Sequence, residues 1–460
     1  MDTKKLRQKI LDLAIRGKLV PQNPNDEPAS VLLERIREEK ERLIKEGKIK
    51  RDTKEKTGDQ FPYQKVPFGV PEGWEWVSGS KCFKPMESKK PIGETFRYID
   101  INSIDNKKHI ITEARYINVS DAPSRASRSI DVGDTLFSMV RPYLENIAYV
   151  EENYENCIAS TGFFVCKPNQ ILFSKYLYYL MLSSYVIDGL NTFMKGDNSP
   201  SINNDNLTAF LYPIPPLSEQ KLIVQKIEEC FFLIDQIEES KLSLEQFIKQ
   251  TKSKVLDLAI RGKLVPQNPN DEPASVLLEK IRNERKEKKL ASDNSHYPFE
   301  APKGWAWTTI SQISESISAG GDKPDVFSAI KTNECAIPIY SNGITNNGLY
   351  GYTNNATVTV PSVTISARGT IGYTCVRKEP FCPIVRLISI SPKLEIINLE
   401  FLYQALCYLI PQGEGSSIPQ LTLPTIMPKY IPLPPLLEQH RIVQKIESIF
   451  QALDSIQNNL

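Results

Sequence analysis

The chain has 460 residues, of which 56 are Lys or Arg and 55 Asp or Glu, so its formal net charge is +1. That balance excludes any argument for nucleic acid from bulk electrostatics. At about 150 residues per domain the length implies two to four domains, and 40% hydrophobic with 9% aromatic residues suffices for packed cores.

No apolar run approaches the roughly 18 residues of a membrane span. The opening MDTKKLRQKILDLAIRGK lacks the apolar core and cleavage site of a secretory signal. The cysteines (Cys82, Cys157, Cys166, Cys230, Cys335, Cys375, Cys382, Cys407) form no CxxC pair and are expected as reduced thiols of a cytoplasmic protein. Three histidines, His109, His296 and His440, argue against a His-rich metal site.

In chain order, a helix carrying Ile10 and Leu13 leads into a VPQNPNDEPAS turn and a short helix with Pro28 near its start. A charged stretch follows, IREEKERLIKEGKIKRDTKEKTGDQ, whose interleaved signs suit i,i+4 pairing on a solvated helix better than phosphate binding. Then come PEGWEW at Pro71–Trp76, a variable block with strand-like runs such as DTLFSMVRPYLENIAYV, one helix in FSKYLYYLMLSSYVI, and PPLSEQKLIVQKIE from Pro215.

The order then repeats. LDLAIRGKLVPQNPNDEPASVLLE of Leu11–Glu34 returns letter for letter at Leu256–Glu279, PKGWAW stands at Pro302–Trp307, and PPLLEQHRIVQKIE begins at Pro434. The second variable block has its own strands in ATVTVPSVTISARGTIGYTCV, turns at SNG, NNG and RGT, and a helix in LEFLYQALCYLI.

Between Pro216 and Pro266 roughly 49 residues without proline would span about 73 Å as one helix, with Gly262 fraying the far end. Its heptad seam runs Ile223, Ile227, Cys230, Ile234, Ile237, Lys241, Leu244, Ile248, Thr251, Val255, Leu258, with Lys241 and Thr251 imperfect. Ile442, Ile446, Ile449, Leu453 and Ile456 repeat the rhythm. Laid end to end, the C-terminal and N-terminal helices rebuild nearly one copy of the central helix and are expected to pair with it antiparallel. The expected fold is α+β: two globular domains, one from each variable block, separated by long antiparallel, coiled-coil-like helices with internal pseudo-twofold duplication. The expected boundaries are 1–60 (N-terminal helical region), 61–216 (first domain), 217–296 (central helix and linker), 297–435 (second domain) and 436–460 (C-terminal helix).

Motifs for chemistry are missing. There is no NPPY-like or DPPY-like tetrapeptide, no GxxxxGK[ST] phosphate loop and no GxGxxG. Glu219-Gln220-Lys221 spells the ExK of some nuclease sites, but no metal-binding aspartate accompanies it. Neither catalytic nor metal-ligating residues are assigned, and no cofactor is expected on this chain.

The paired PPLxEQxxIVxKIE segments, each after a variable α+β block, together with the repeated LxLAIRGKLVPQ segments, resemble the specificity subunit of type I restriction–modification enzymes over essentially the whole chain. The resemblance implies two target-recognition domains, each reading half of a bipartite double-stranded DNA sequence across a fixed spacer. It also implies two modification subunits that carry S-adenosylmethionine and methylate adenine at N6. Restriction subunits, two in number, would bring ATP, Mg and nuclease activity. The sequence by itself leaves open a coiled-coil scaffold whose two variable domains bind proteins.

Base reading favours Arg on guanine and Asn or Gln on adenine. The candidates are Arg125, Arg128, Arg141, Lys195 and Asn198 in the first block and Lys323, Asn342, Asn346, Asn347 and Arg368 in the second. Arg141 and Arg368 occupy comparable places. Asn-Gly pairs are turns first. With 15 basic against 17 acidic residues in 61–216 and 9 against 9 in 297–435, both blocks are expected to bind DNA weakly alone. Trp74, Trp76, Trp305 and Trp307 are expected to pack where the chain enters each domain rather than to stack on bases. Glu219, Gln220, Glu438 and Gln439 are candidates for docking modification subunits, or for capping the first helical turn.

Overall fold

The computed structural model describes residues 2–46, 66–285, 297–410 and 421–459. The far parts of both charged stretches, and Met1 and Leu460 whose meeting the expected arrangement requires, lie outside them. The chain divides into two compact units, Met1–Ser240 and Lys241–Leu460.

Unit 1 opens with helix α1 (Thr3–Ile15), capped by the Asp2 carboxylate, which accepts from Lys5 N–H. Helix α2 (Ala29–Lys45) follows. The block then enters through β1 (Glu75–Ser78) and leaves through β9 (Leu211–Ile214), which pair antiparallel. Between them lie β2 (Thr95–Ile99), β3 (Arg115–Asn118), β4 (Ala126–Ser129), β5 (Thr135–Ser138), β6 (Ile147–Tyr149), β7 (Ile158–Ser160) and β8 (Phe163–Cys166), then helix α3 (Ser174–Met181). They form two sheets, ordered β3-β2-β7-β4 and β8-β5-β6. β2 and β7 run parallel, and β5 is antiparallel to both of its neighbours.

Helix α4 (Leu217–Ile260, 44 residues) crosses the boundary between the units. Unit 2 continues with α5 (Ala274–Arg285), β10 (Ala306–Thr309), β11 (Ser314–Ala319), β12 (Ile337–Tyr340), β13 (Leu349–Thr353), β14 (Ser362–Ile365), β15 (Thr374–Arg377), β16 (Cys382–Pro383), β17 (Ile388–Pro392), α6 (Leu399–Leu409), β18 (Tyr430–Leu433) and α7 (Leu436–Asn458). β10 pairs with β18; the larger sheets are ordered β13-β12-β16 and β11-β17-β14-β15.

The two blocks therefore share a plan that their sequences hide. Each has a parallel pair (β2/β7 or β12/β16) with an antiparallel outer strand. Each also has a central strand (β5 or β14) antiparallel on both sides. The place of β4 beside β7 is taken in unit 2 by the bridge between Val358 and Phe381, and the place of β11 beside β17 is taken in unit 1 by the bridge between Phe83 and Pro168.

The core of each unit joins its sheets to its helices. Ile10, Leu11, Ala14 and Ile15 of α1 meet Ile223, Val224, Ile227 and Ile234 of α4 in one buried cluster. In unit 2, Val255, Ala259 and Ile260 meet Ile442, Val443 and Ile446 of α7. Both pairings are antiparallel. Arg7 reaches Asp235 at 2.5 Å and Glu238 at 3.4 Å, while Gln22 reaches Glu219. Lys252 pairs with Asp454, while Gln267 reaches Glu438. The heptad seam is buried towards both ends of α4 but not along its whole length: Ile237 is 44% exposed, and Cys230, Lys241, Leu244 and Leu258 are half-buried. All eight cysteines are free, and five are buried.

The helix ends earlier than its proline limits allow, for a local reason. Gly262 takes φ +66°, its N–H bonds Ala259 O at 3.1 Å, and Lys263 N–H closes on Leu258 O at 2.8 Å. Gly17 (φ +64°) does the same after α1, with Ala14 O at 3.2 Å and Leu13 O at 2.8 Å. These are Schellman closures, which need a residue tolerant of the left-handed region. Space is equally restrictive, since a Cβ on Gly17 would stand 2.3 Å from Pro71 Cγ and one on Gly262 2.5 Å from Pro302 Cγ. Gly17→Ala or Gly262→Ala is expected to cost more than about 1 kcal/mol, measured by urea unfolding, with Gly73→Ala as the uncrowded left-handed comparison.

Candidate nucleic-acid interface

The repeated motifs converge on one buried contact in each unit. In unit 1 the Glu219 carboxylate accepts the Trp74 indole N–H at 2.8 Å and the Gln22 amide N–H at 2.9 Å. In unit 2 Glu438 accepts Trp305 at 3.1 Å and Gln267 at 3.3 Å. The adjacent glutamine ties the helix to the end of the α+β block. Gln220 accepts from Phe173 N–H at 2.7 Å and donates to Ile171 O and Pro215 O. Gln439 does the same with Asn398 N–H at 2.7 Å, Ile396 O and Pro434 O.

All four of these side chains are buried. This corrects the expectation that Glu219, Gln220, Glu438 and Gln439 dock other subunits: their side chains are buried and already bonded inside the unit. Neither do they cap the helix, because their side chains reach other segments rather than the free N–H groups of the first turn. Burial raises the pKa of Glu219 and Glu438, with the Trp and Gln hydrogen bonds opposing it.

The tryptophans pack. Trp74 and Trp305 are buried, Trp76 lies edge-on to Phe68 and Tyr185, and Trp307 stacks on Tyr297 at 5.4 Å between ring centroids.

The structure gathers several base-reading candidates of unit 1. Arg141 follows β5 in a left-handed conformation (φ +47°). Its N–H bonds Pro200 O at 2.8 Å and its guanidinium bonds Asn198 O at 2.8 Å. Lys195 and Ser201 exchange backbone hydrogen bonds at 3.0 Å, so the segment bearing exposed Lys195 and Asn198 lies against Val140. Exposed Arg125 belongs nearby: its carbonyl accepts Thr161 N–H at 2.8 Å, and the next residue, Gly162, accepts Met139 N–H at 2.9 Å. Arg128 is different. It sits within β4 opposite Ala159, half-buried, with burial lowering its pKa and its Nε unpartnered.

In unit 2, Arg368 follows β14 as Arg141 follows β5, so the two do occupy the same topological place. Their backbones differ: the left-handed residue here is the next one, Gly369 (φ +68°). Arg368 is exposed, and so is Lys323, whose Nζ lies 3.5 Å from the Phe327 ring centroid.

Two asparagine candidates are corrected. Asn342 accepts from Ala367 N–H at 2.7 Å and donates to Val385 O at 2.6 Å, so the acceptor–donor pair that would read adenine is occupied. Asn347 accepts from the Tyr373 hydroxyl at 2.7 Å. It and exposed Asn346 adopt left-handed turn conformations (φ +53° and +48°). Sequence reasoning missed Arg386, an exposed residue between β16 and β17. Its surroundings, PIVRLIS, read as one apolar strand without a turn residue to mark the loop.

A profile of the type I restriction modification DNA specificity domain matches residues 81–246 and 302–460, one match for each variable block and the helix after it. The chain belongs to this family. It is 26% identical to the EcoAI specificity subunit of Escherichia coli, over 98% of this chain and 90% of that protein. It is 29% identical to the EcoEI specificity subunit of the same species over 69% and 63%. Among solved structures, the HsdS subunit of Thermoanaerobacter tengcongensis is similar with TM-score 0.57 at 25% identity, covering 85% of this chain and 93% of that one. A chain from a structure addressing complex assembly and conformational transition of a type I restriction–modification system gives TM-score 0.64 at 26% identity, covering 85% and 94%.

For this specificity-family chain, the buried glutamates carry a pH signature. A carboxyl raised in the folded state contributes stability below its ordinary value of 4.5 and loses it as pH rises through the folded value. Wild-type stability is therefore expected to fall relative to Glu219→Gln as pH is raised above 4.5, in urea unfolding at successive pH values. Trp74→Phe, which strips the indole donor from the carboxylate, is expected to cost about 1–3 kcal/mol at neutral pH.

Proposed function

We infer that this chain is the DNA sequence-specificity subunit of a type I restriction–modification enzyme, a non-catalytic reader of a bipartite asymmetric target with two half-sites and a fixed spacer. One observation carries the inference: a common sheet plan occurs twice and presents different polar residues from the same connections. A plan that repeats while its tips diverge suits two readers of two different sequences. Arg141 and Lys195 with Asn198 serve one half-site, and Arg368 and Lys323 the other.

The neutral charge of both blocks sets the division of labour. Phosphate contacts supply much of the affinity of DNA-binding proteins, and these blocks have no excess of cations to make them. We propose that two adenine-N6 modification subunits supply most of the clamp and hold S-adenosylmethionine, and that two restriction subunits bring ATP and Mg. The chain supplies base discrimination, in the cytoplasm, with no cofactor of its own. Among the described residues no helix is long and apolar enough to cross a membrane, and no group of His, Cys, Asp and Glu is placed to hold a metal.

With the modification subunits added, DNase footprinting is expected to show two protected patches with a constant gap. No protection would favour a scaffold whose variable blocks bind proteins. Methylation mapping of Arg141→Ala and Arg368→Ala complexes separates the halves. Each is expected to relax one half-site by about 1–3 kcal/mol of discrimination and to leave the other unchanged.

A further inference from the structure

The link between β16 and β17 is four residues long, 384–387. Ile384 and Leu387 are buried, and between them Val385 and Arg386 protrude. Both protruding residues are left-handed, with φ +54° and +59°. For a β-branched valine this region is a genuine outlier. Strain of this kind persists only where the surroundings over-determine it.

Here the surroundings do so. Val385 N–H bonds Gly321 O and Arg386 N–H bonds Gly320 O, both at 2.8 Å. Gly320 has no room for a side chain, since a Cβ there would lie 2.6 Å from Ile384 N. From the other side the Asn342 amide holds Val385 O at 2.6 Å and Ala367 N–H at 2.7 Å. One amide thus fastens the Arg386 link to the segment that carries Arg368. Among the described residues neither guanidinium makes a hydrogen bond or ion pair with another side chain. The corresponding link of unit 1, from β7 to β8, is Thr161-Gly162, with no cation.

We propose that Arg386 is a specificity-determining residue that reads a guanine in the half-site of the second block, and that Asn342 is the positioning residue that holds it there. A strained, doubly anchored backbone fixes where the guanidinium leaves the surface. A fork at a fixed origin is what bidentate contact with guanine O6 and N7 requires. This rests on the reading of the chain as a DNA specificity subunit.

The test uses the complete complex with its modification subunits and a library of targets randomised across both half-sites. Arg386→Ala is expected to lose tenfold or more discrimination at one guanine of one half-site and none in the other. Arg386→Lys, which keeps the charge without the fork, is expected to lose most of the same discrimination while retaining affinity. Asn342→Ala is expected to relax the same base pair, and the double variant to be no worse there than Arg386→Ala alone.

Unchanged preference in Arg386→Ala, or a loss spread evenly over all targets, overturns the assignment while leaving DNA recognition intact. Lower melting temperature in Asn342→Ala with full discrimination at that base pair overturns the positioning role. A wild-type complex with no preference for any sequence overturns the recognition reading and this inference with it.

Discussion

A buried carboxylate that accepts from an indole and an amide holds each unit of this protein together. Glu219 belongs to the long helix, Trp74 to the entrance of the α+β block, and Gln22 to the loop after α1. Three segments far apart in sequence meet at two oxygens, and in the second unit Trp305 and Gln267 both donate to one oxygen of Glu438. An apolar contact would tolerate sliding between helix and block; a buried acceptor with two directional donors does not, because a slip leaves polar groups unpaired away from water. Gly17 and Gly262 complete the joint by turning the chain where Pro71 and Pro302 leave no space for a side chain.

That joint separates the part of the molecule that must stay constant from the part that must vary. The segments that build it are nearly identical in the two halves, whereas the blocks have diverged until only the strand plan is shared. The ends of the strands show the divergence. The same position after the central strand carries a left-handed Arg141 in one block and an ordinary Arg368 followed by a left-handed glycine in the other. The link after the parallel pair is Thr161-Gly162 in one and Val385-Arg386 in the other. A reader of DNA can change its target this way without disturbing the joint, since loop tips make few demands on the core.

Much of this was legible in the residues. Exact repetition exposed the duplication, heptad spacing exposed the helices, and the matched positions of the tryptophans pointed to packing. The docking role assigned to the Glu-Gln pairs failed because charged and amide residues at a helix start look solvent-facing in sequence; nothing in PPLSEQ states that Trp74 will arrive over it. Asn342 and Asn347 were chosen for their hydrogen-bonding groups, and the fold engages both groups of Asn342 and the side-chain oxygen of Asn347 internally. Arg386 was passed over because PIVRLIS contains no glycine, asparagine or aspartate to announce a turn.

The sequence alone determined that the chain is built twice from helix, loop, block and helix, and which segments are common to both copies, because periodicity and repetition are local properties that need no partner to be seen. Tertiary structure decided which polar side chains remain available at the surface. Whether an asparagine or a glutamate is free depends on what lies across from it, and in this protein those partners come from as far as 231 residues away, as between Arg7 and Glu238. It also decided where the backbone is forced into left-handed geometry at Val385 and Arg386, since that conformation is imposed by hydrogen bonds from neighbouring segments and not by the preferences of the residues that adopt it.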